Sequence, residues 1–256
     1  MKKNEMVSVI TVCYNAQKTI RKTLESVLAQ SFRPLQYILV DGKSTDCTLA
    51  IINEYQEQFK RNNIEMIIVS EKDAGIYNAM NKGVHYATGE WILYMNADDY
   101  FYDKDALLSI AKYINDSKID IIYGDEYIYD HNGDGFINKR GQDISAINRT
   151  LPFCHQSSLV RKKWLFIHPF EEKYKIVSDY EFFLFCFKNN AVFKYCDTVI
   201  AAYFKEGTSR KMFKTAIDES FEVKGKYGII NSKRIDLILK KELRKIYTAL
   251  QVRHEK

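Results

Sequence analysis

Five short apolar runs, separated by amphipathic stretches, fill the first 125 residues and limit what the chain can fold into more than any other feature. VSVITVCY (7–14), QYILVDG (36–42), IEMIIVS (64–70), WILYMN (91–96) and DIIYGD (120–125) read as strands. Helical patterns lie between them at 45–59, at 76–87, where Gly89 stops the helix, and at 106–115. An earlier helix turns Ile20, Leu24, Val27 and Leu28 inward, with Asn15 placed to cap it. Strands alternating with helical crossovers predict an α/β fold, a mainly parallel sheet flanked by helices.

At 256 residues, 46% of them hydrophobic and with only 3 Pro and 11 Gly, the chain suits one compact domain with appendages rather than units on long linkers. The pattern divides it into an α/β half at 1–125, a less regular, aromatic-rich half of the same domain at 126–209, and a basic helical extension at 210–256. The second half carries a loop near 131–150 and a helix at 179–189. In the extension Ile235, Leu239, Leu243, Ile246 and Leu250 recur at helical spacing. Charge divides in the same way: 210–256 holds 13 Lys and Arg against 6 Asp and Glu, a net of +7, which leaves −2 for the rest. Five cysteines without a C-x-x-C pair, mostly inside apolar stretches, read as reduced core residues of a cytoplasmic protein. His131, His155 and His168 lack the spacing of a zinc site. Asn4 and Glu5 interrupt the one segment with a faint likeness to a signal peptide, and no run of about 18 apolar residues predicts a membrane span.

Three strands end in polar or acidic residues: Asp41, then Glu71 to Asp73, then Asn96 to Asp99. In open α/β sheets the ligand lies outside the carboxyl ends of the strands, so these groups are expected to line one crevice. Asp98 and Asp99 are a short acidic cluster of the kind that shares Mg2+ or Mn2+ with substrate phosphates and water. Thr11, Tyr14, Asp41 and Asp73 would build a nucleotide pocket, in which Asp41 accepts the imide N–H of uracil and the Tyr14 ring stacks on the base. Cytosine lacks that proton, which favours uridine or thymidine. Taken alone, Asp41-Gly42 also reads as a turn, and Asp98-Asp99 as solvated acids. Ser178 and Glu181 have the spacing of a capping box, which puts Asp179 in the first turn of a helix, where the dipole favours its ionised form. Such a carboxylate can take the proton of an attacking hydroxyl, although locally it also reads as a plain complement to the dipole.

VSVITVCYN, LVDGKSTDCT and EKDAGIYNAMNKGVHYATGEWILYMNADD resemble, in order and spacing, the nucleotide-binding half of glycosyltransferase family 2 in its bacterial polysaccharide and O-antigen branch. IIYGD, CHQSSLVRK and FEEKYKIVSDYEF extend the likeness to about residue 210. The resemblance implies a GT-A fold, a UDP- or dTDP-sugar donor, Mn2+ or Mg2+, and inversion at the anomeric carbon during surface polysaccharide synthesis. It puts the uracil-binding acid on Asp41, a second nucleotide-contacting acid on Asp73, the D-x-D element on Asn96 to Asp98 with metal-binding Asp99 following, and the general base on Asp179. Asn96 departs from the family pattern. It can hydrogen-bond ribose or phosphate but supplies no charge, which makes Asp99 the stronger expected ligand and Asp98 the weaker. His155 and Gln156 fall where the family approaches its acceptor, and Arg210 where a loop closes over the diphosphate.

Two other readings stand beside this one. A nucleotidyltransferase would carry a glycine-rich basic loop after the first strand, and an NAD enzyme G-x-G-x-x-G; VCYNAQKT has no glycine. A non-catalytic nucleotide-sugar-binding module would leave Asp99 and Asp179 idle. Expected partners are the nucleotide-sugar donor and a glycan or lipid-linked acceptor, with no nucleic acid. The basic tail would rest on an anionic membrane surface, making the protein peripheral at the inner face of the cytoplasmic membrane, or else on its own domain or the second subunit of a homodimer.

Overall fold

The computed structural model describes residues 6–130, 132–205, 207 and 212–229. Arg210 and the helical repeat at 235–250 therefore lie outside the described residues.

The sheet is built from β1 (Val7–Cys13), β2 (Leu35–Asp41), β3 (Glu65–Ser70), β4 (Trp91–Tyr94), β5 (Tyr100–Phe101), β6 (Ile121–Tyr129), β7 (Gly135–Asn138), β8 (Ser158–Arg161) and β9 (Phe193–Phe204). Their order is β3-β2-β1-β4-β8-β6-β9-β5, with β7 paired to β6. The first four strands are mutually parallel. β8 joins β4 antiparallel, and beyond it antiparallel pairs predominate, although β6 and β9 run parallel.

β1 and β2 are apolar along nearly their whole length because helices cover both of their faces. The two-residue period of the strand decides which core each side chain enters. Val7, Val9, Leu35, Tyr37, Trp91 and Leu93 enter one core, together with residues of α1 (Ile20–Leu28), α2 (Thr48–Glu54), α3 (Gln56–Arg61), α5 (Ala106–Ser109) and α6 (Ala111–Ile114). Ile10, Val12, Ile38, Val40, Ile92 and Tyr94 enter the other, with α4 (Ile76–Tyr86), α7 (Lys162–Ile167) and α8 (Ser178–Lys188). The last described helix, α9 (Phe213–Lys226), folds back onto the second core through Val223.

The structure departs from the sequence reading at several boundaries. α1 buries Ile20, Leu24 and Val27 as expected, but Asn15 does not cap it. Asn15 sits at φ +49, and its Oδ1 accepts instead from the Thr45 N–H at 2.9 Å, which ties the loop after β1 to the loop after β2. The helix expected over 45–59 divides at Tyr55, whose hydroxyl donates to Glu25 at 2.8 Å and so draws the junction onto α1. The helix expected over 106–115 divides at buried Ile110. Part of the expected loop near 131–150 is β7 and a 3-10 turn at Ile144–Asn148. The capping box is absent as well. α8 starts from Val177 without a side-chain cap, and the Ser178 Oγ is buried with no hydrogen-bond partner. Glu181 is turned away to His168, Lys226 and Tyr227. Among the described residues no helix is long and apolar enough to cross a membrane.

Candidate functional site

The loops that leave β1, β2, β3 and β4 meet at the carboxyl end of the parallel half of the sheet. Asp41, the last residue of β2, is fully buried. Its Oδ2 accepts from the Ser70 hydroxyl at 2.6 Å, and its Oδ1 accepts from the Ser44 hydroxyl, with the Ser44 N–H 3.1–3.2 Å from both oxygens. In this arrangement the carboxylate organises the 42–45 loop. It reaches a ligand only if one of the two serine hydroxyls turns away.

Gly42 follows directly. A Cβ at this position would meet Asp73 Oδ2 at 2.5 Å and Tyr14 Cδ2 at 3.4 Å, so the absence of a side chain lets the acid and the ring stand together. Tyr14 is 62% exposed and offers a face for stacking. Asp73 Oδ1 accepts from the Gly75 N–H at 3.0 Å. Gly75, at φ +131, takes a conformation open to glycine and starts α4 immediately after the acid. Thr11 is a correction. It is fully buried, its hydroxyl donates to the Met95 carbonyl at 2.6 Å and lies 2.9 Å from the Tyr37 hydroxyl, so it packs in the core rather than lining a pocket.

Past the end of β4 the two adjacent acids differ. Asp98 is exposed, while Asp99 is buried beneath it. Burial pushes the Asp99 carboxyl well above the usual carboxylate range, the Asp98 charge adds to this, and the Gln156 amide opposes it by donating to Oδ2 at 2.6 Å. Asn96 Nδ2 lies 3.3 Å from His155 Nε2, and His155 Nδ1 lies 3.0 Å from Asp179 Oδ2. A carboxylate only accepts, so Nδ1 carries the proton and Nε2 receives the asparagine amide. Asn96 Oδ1 is then left buried without a partner.

Asp179 stands in the first turn of α8, as expected, with its side chain 17% exposed. Its Oδ1 accepts from the Tyr180 N–H at 2.8 Å. The Tyr77 hydroxyl donates to the Ile176 carbonyl at 2.6 Å and lies 3.3 Å from the same Oδ1. Oδ2 is bonded by His155 alone among the described partners. Tyr77 is in the first turn of α4, two residues beyond the glycine that follows Asp73. One short helix thus joins the Tyr14–Gly42–Asp73 cluster to the Asn96–His155–Asp179 chain.

His155 and Gln156, expected near the acceptor, have their polar atoms engaged by neighbouring side chains. Both His155 nitrogens are engaged, and the Gln156 amide is spent on Asp99 while its Oε1 accepts from the Cys154 thiol at 2.5 Å. They orient the acids. The sequence reading missed Tyr77, which donates across about a hundred residues. It also missed Glu126, fully buried, whose Oε2 accepts from the Cys154 N–H at 3.1 Å and so holds the turn that carries both residues. An acid inside the apolar strand IIYGDEYIY was the available signal.

One other group of metal-competent side chains comes together among the described residues: His168, Glu171 and Glu181, with ligand atoms within 4.8 Å of one another. The Lys226 ammonium already bonds both glutamates, and the Tyr227 hydroxyl donates to Glu181 at 2.5 Å. The protein's own cation neutralises that cluster.

Residues 8–193 match the family model described as "Glycosyl transferase family 2". A PGL/p-HBAD biosynthesis glycosyltransferase of Mycobacterium bovis is 33% identical over 223 residues, covering 84% of this chain and 82% of that protein. Among solved structures, residues 1–349 of S. aureus TarS in complex with UDP-GlcNAc superpose with a TM-score of 0.66 at 22% identity, covering 85% of this chain and 64% of TarS 1–349. The mannosyltransferase PcManGT of Pyrobaculum calidifontis, solved with GDP-Man and Mn2+, gives a TM-score of 0.66 at 18% identity, over 88% of this chain and 65% of that one. The chain belongs to glycosyltransferase family 2 and has the GT-A fold.

Proposed function

We propose that the protein is an inverting, metal-dependent glycosyltransferase that moves a sugar from a UDP- or dTDP-sugar to a hydroxyl of a glycan or lipid-linked acceptor in surface polysaccharide synthesis, with Asp179 as the base. The observation that carries this reading is the hydrogen-bonded chain Asn96–His155–Asp179 beside Gln156–Asp99, because it brings the strand end suited to a metal diphosphate against a carboxylate suited to proton transfer.

The residues fit a divalent cation. Burial and Asp98 make ionisation of Asp99 costly, which a cation would relieve, and the buried Asn96 Oδ1 is an acceptor in want of a donor. Asp99, supported by exposed Asp98, would hold Mn2+ or Mg2+, which when bound neutralises the departing diphosphate. Asn96 Oδ1 would receive a ribose hydroxyl. Tyr14 would stack on the base, and Asp73 would accept its N–H, joined by Asp41 once Ser44 or Ser70 turns. An edge made of acceptors favours a base with an imide proton.

In the transfer itself the acceptor hydroxyl gives its proton to Asp179 Oδ2, the oxygen with spare acceptor capacity. Its oxygen bonds to the anomeric carbon from the face opposite the leaving group, and the bond from that carbon to the diphosphate oxygen breaks, with the electron pair leaving on the diphosphate. Attack from the opposite face inverts the configuration. Tyr77, the Tyr180 N–H and His155 fix the direction of the carboxylate, and such positioning is a large part of what an enzyme supplies. The described part of the basic extension rests on the domain, since Lys226 pairs with Glu171 and Glu181. Contact with an anionic membrane would therefore fall to the residues beyond it, and localisation at the inner face of the membrane belongs to this proposal.

The test is a panel of nucleotide sugars assayed for Mn2+-supported hydrolysis and transfer, with the anomeric configuration of the product read by NMR. Inverted product, formed only with added metal and from a uridine or thymidine donor, is expected. Retained configuration, or turnover undiminished by a chelator, would reject the mechanism.

A further inference from the structure

The base helix begins without a cap of its own. α8 starts from Val177 with no side-chain cap, and the backbone N–H groups just before it have no helix to bond within. Their partner comes from α9, which lies beyond residue 193, where the family model ends. Glu219 Oε1 accepts from the Lys175 N–H at 2.9 Å, and its Oε2 accepts from the Ile176 N–H at 3.0 Å and the Val177 N–H at 3.3 Å. The carbonyl of that same Ile176 receives the Tyr77 hydroxyl from the opposite side.

The rest of α9 reinforces this grip. Glu222 accepts from Lys173 at 2.9 Å and from the Tyr174 hydroxyl at 3.2 Å. Lys226 and Tyr227 hold Glu181 one turn into α8. The segment 173–181 is thus clasped by a helix from the C-terminal extension, and three successive N–H groups, two to four residues before Asp179, bond one carboxylate.

We infer that Glu219 is a positioning residue for transfer: by holding the backbone of 175–177 it sets where the Asp179 carboxylate stands. This rests on the reading of Asp179 as the base. Glu219 bonds backbone N–H groups and none of the side chains proposed to hold the donor, so its loss should reach turnover and spare donor binding. A displacement of the order of 1 Å at a reacting group costs about a hundredfold in rate.

The experiment compares the full chain with Glu219→Ala, Glu219→Gln, Asp179→Asn and the double variant Asp179→Asn/Glu219→Ala. It measures kcat and donor KM for transfer, UDP affinity by calorimetry with Mn2+, and Tm. Glu219→Ala should lower kcat by about 10- to 100-fold, with donor KM and UDP affinity within about threefold of the parent. Glu219→Gln keeps one acceptor oxygen and should recover part of kcat; it also serves if the alanine variant does not fold. The double variant should be no slower than Asp179→Asn alone, because Glu219 acts through that residue. Parental kcat in both Glu219 variants while Asp179→Asn is inactive would overturn the inference alone. Losses that multiply in the double variant would do the same. An active Asp179→Asn with a slowed Glu219→Ala would sink the base assignment and with it the route proposed for Glu219.

Discussion

Gly42→Ala tests whether Tyr14 and Asp73 form a donor pocket, and the structure sets the size of the perturbation. The new methyl would lie 2.5 Å from Asp73 Oδ2 and 3.4 Å from Tyr14 Cδ2. An ordinary contact needs about 3.4 Å, so the carboxylate must withdraw by somewhat under 1 Å, swinging about the bond its other oxygen makes with the Gly75 N–H. A charge-assisted hydrogen bond contributes about 1.5–3 kcal/mol, and 1.4 kcal/mol is a factor of ten, so losing part of one such bond should weaken UDP binding about tenfold. Gly42 does not occupy a left-handed conformation, and alanine there restricts the unfolded chain by about 0.4–1 kcal/mol, which offsets the local crowding. Tm should therefore stay within about 3 °C of the parent. Calorimetric titration of UDP into both proteins with Mn2+, alongside scanning calorimetry, reads the two quantities separately. Unchanged UDP affinity in a folded Gly42→Ala protein would remove Asp73 from the pocket.

Other outcomes follow from the buried acids. Although burial opposes its ionisation, hydrogen bonds from His168, Lys226 and Tyr227 bring the Glu181 carboxyl down to about 2. Its folded value lies below its unfolded one, so this contribution, of the order of 3 kcal/mol, is complete above about pH 4.5 and is lost as the pH falls toward 2. Glu181→Gln should flatten the fall of Tm between pH 5 and about 3, and parallel curves would refute the linkage. Gln156→Leu removes the donor that favours ionised Asp99, which should move the acid limb of Mn2+-supported turnover to higher pH; an unmoved limb would separate Asp99 from the metal.

The parallel half of the fold was legible because β1, β2 and β4 are covered on both faces and so read as plain apolar runs, with acids at or just past the ends of β2 and β4. The same property hid Thr11. A strand apolar on both sides carries no alternation to show which way a residue points, and the Thr11 hydroxyl turned out to serve Met95 and Tyr37. Local capping patterns failed where a distant partner competed. Asn15 found Thr45 in a neighbouring loop, and Glu181 found Lys226 and Tyr227 at the end of α9. The acids at 73, 98, 99 and 179 could be named from sequence, but their inequality could not. That Asp99 is buried and Asp98 exposed, and that His155 and Gln156 bond Asp179 and Asp99, depends on how the 154–157 turn packs against β4 and β6. Glu126 sets that turn, and its one signal in the sequence is an acid placed inside an apolar strand.

Proton transfer to Asp179 is tested by kcat and UDP affinity of Asp179→Asn measured on the same preparation. Asparagine keeps the shape and a carbonyl acceptor but cannot hold the proton, so turnover should drop by at least about a hundredfold while UDP affinity with Mn2+ stays within a factor of about two. Turnover equal to that of the parent would contradict the account, whatever the donor proves to be.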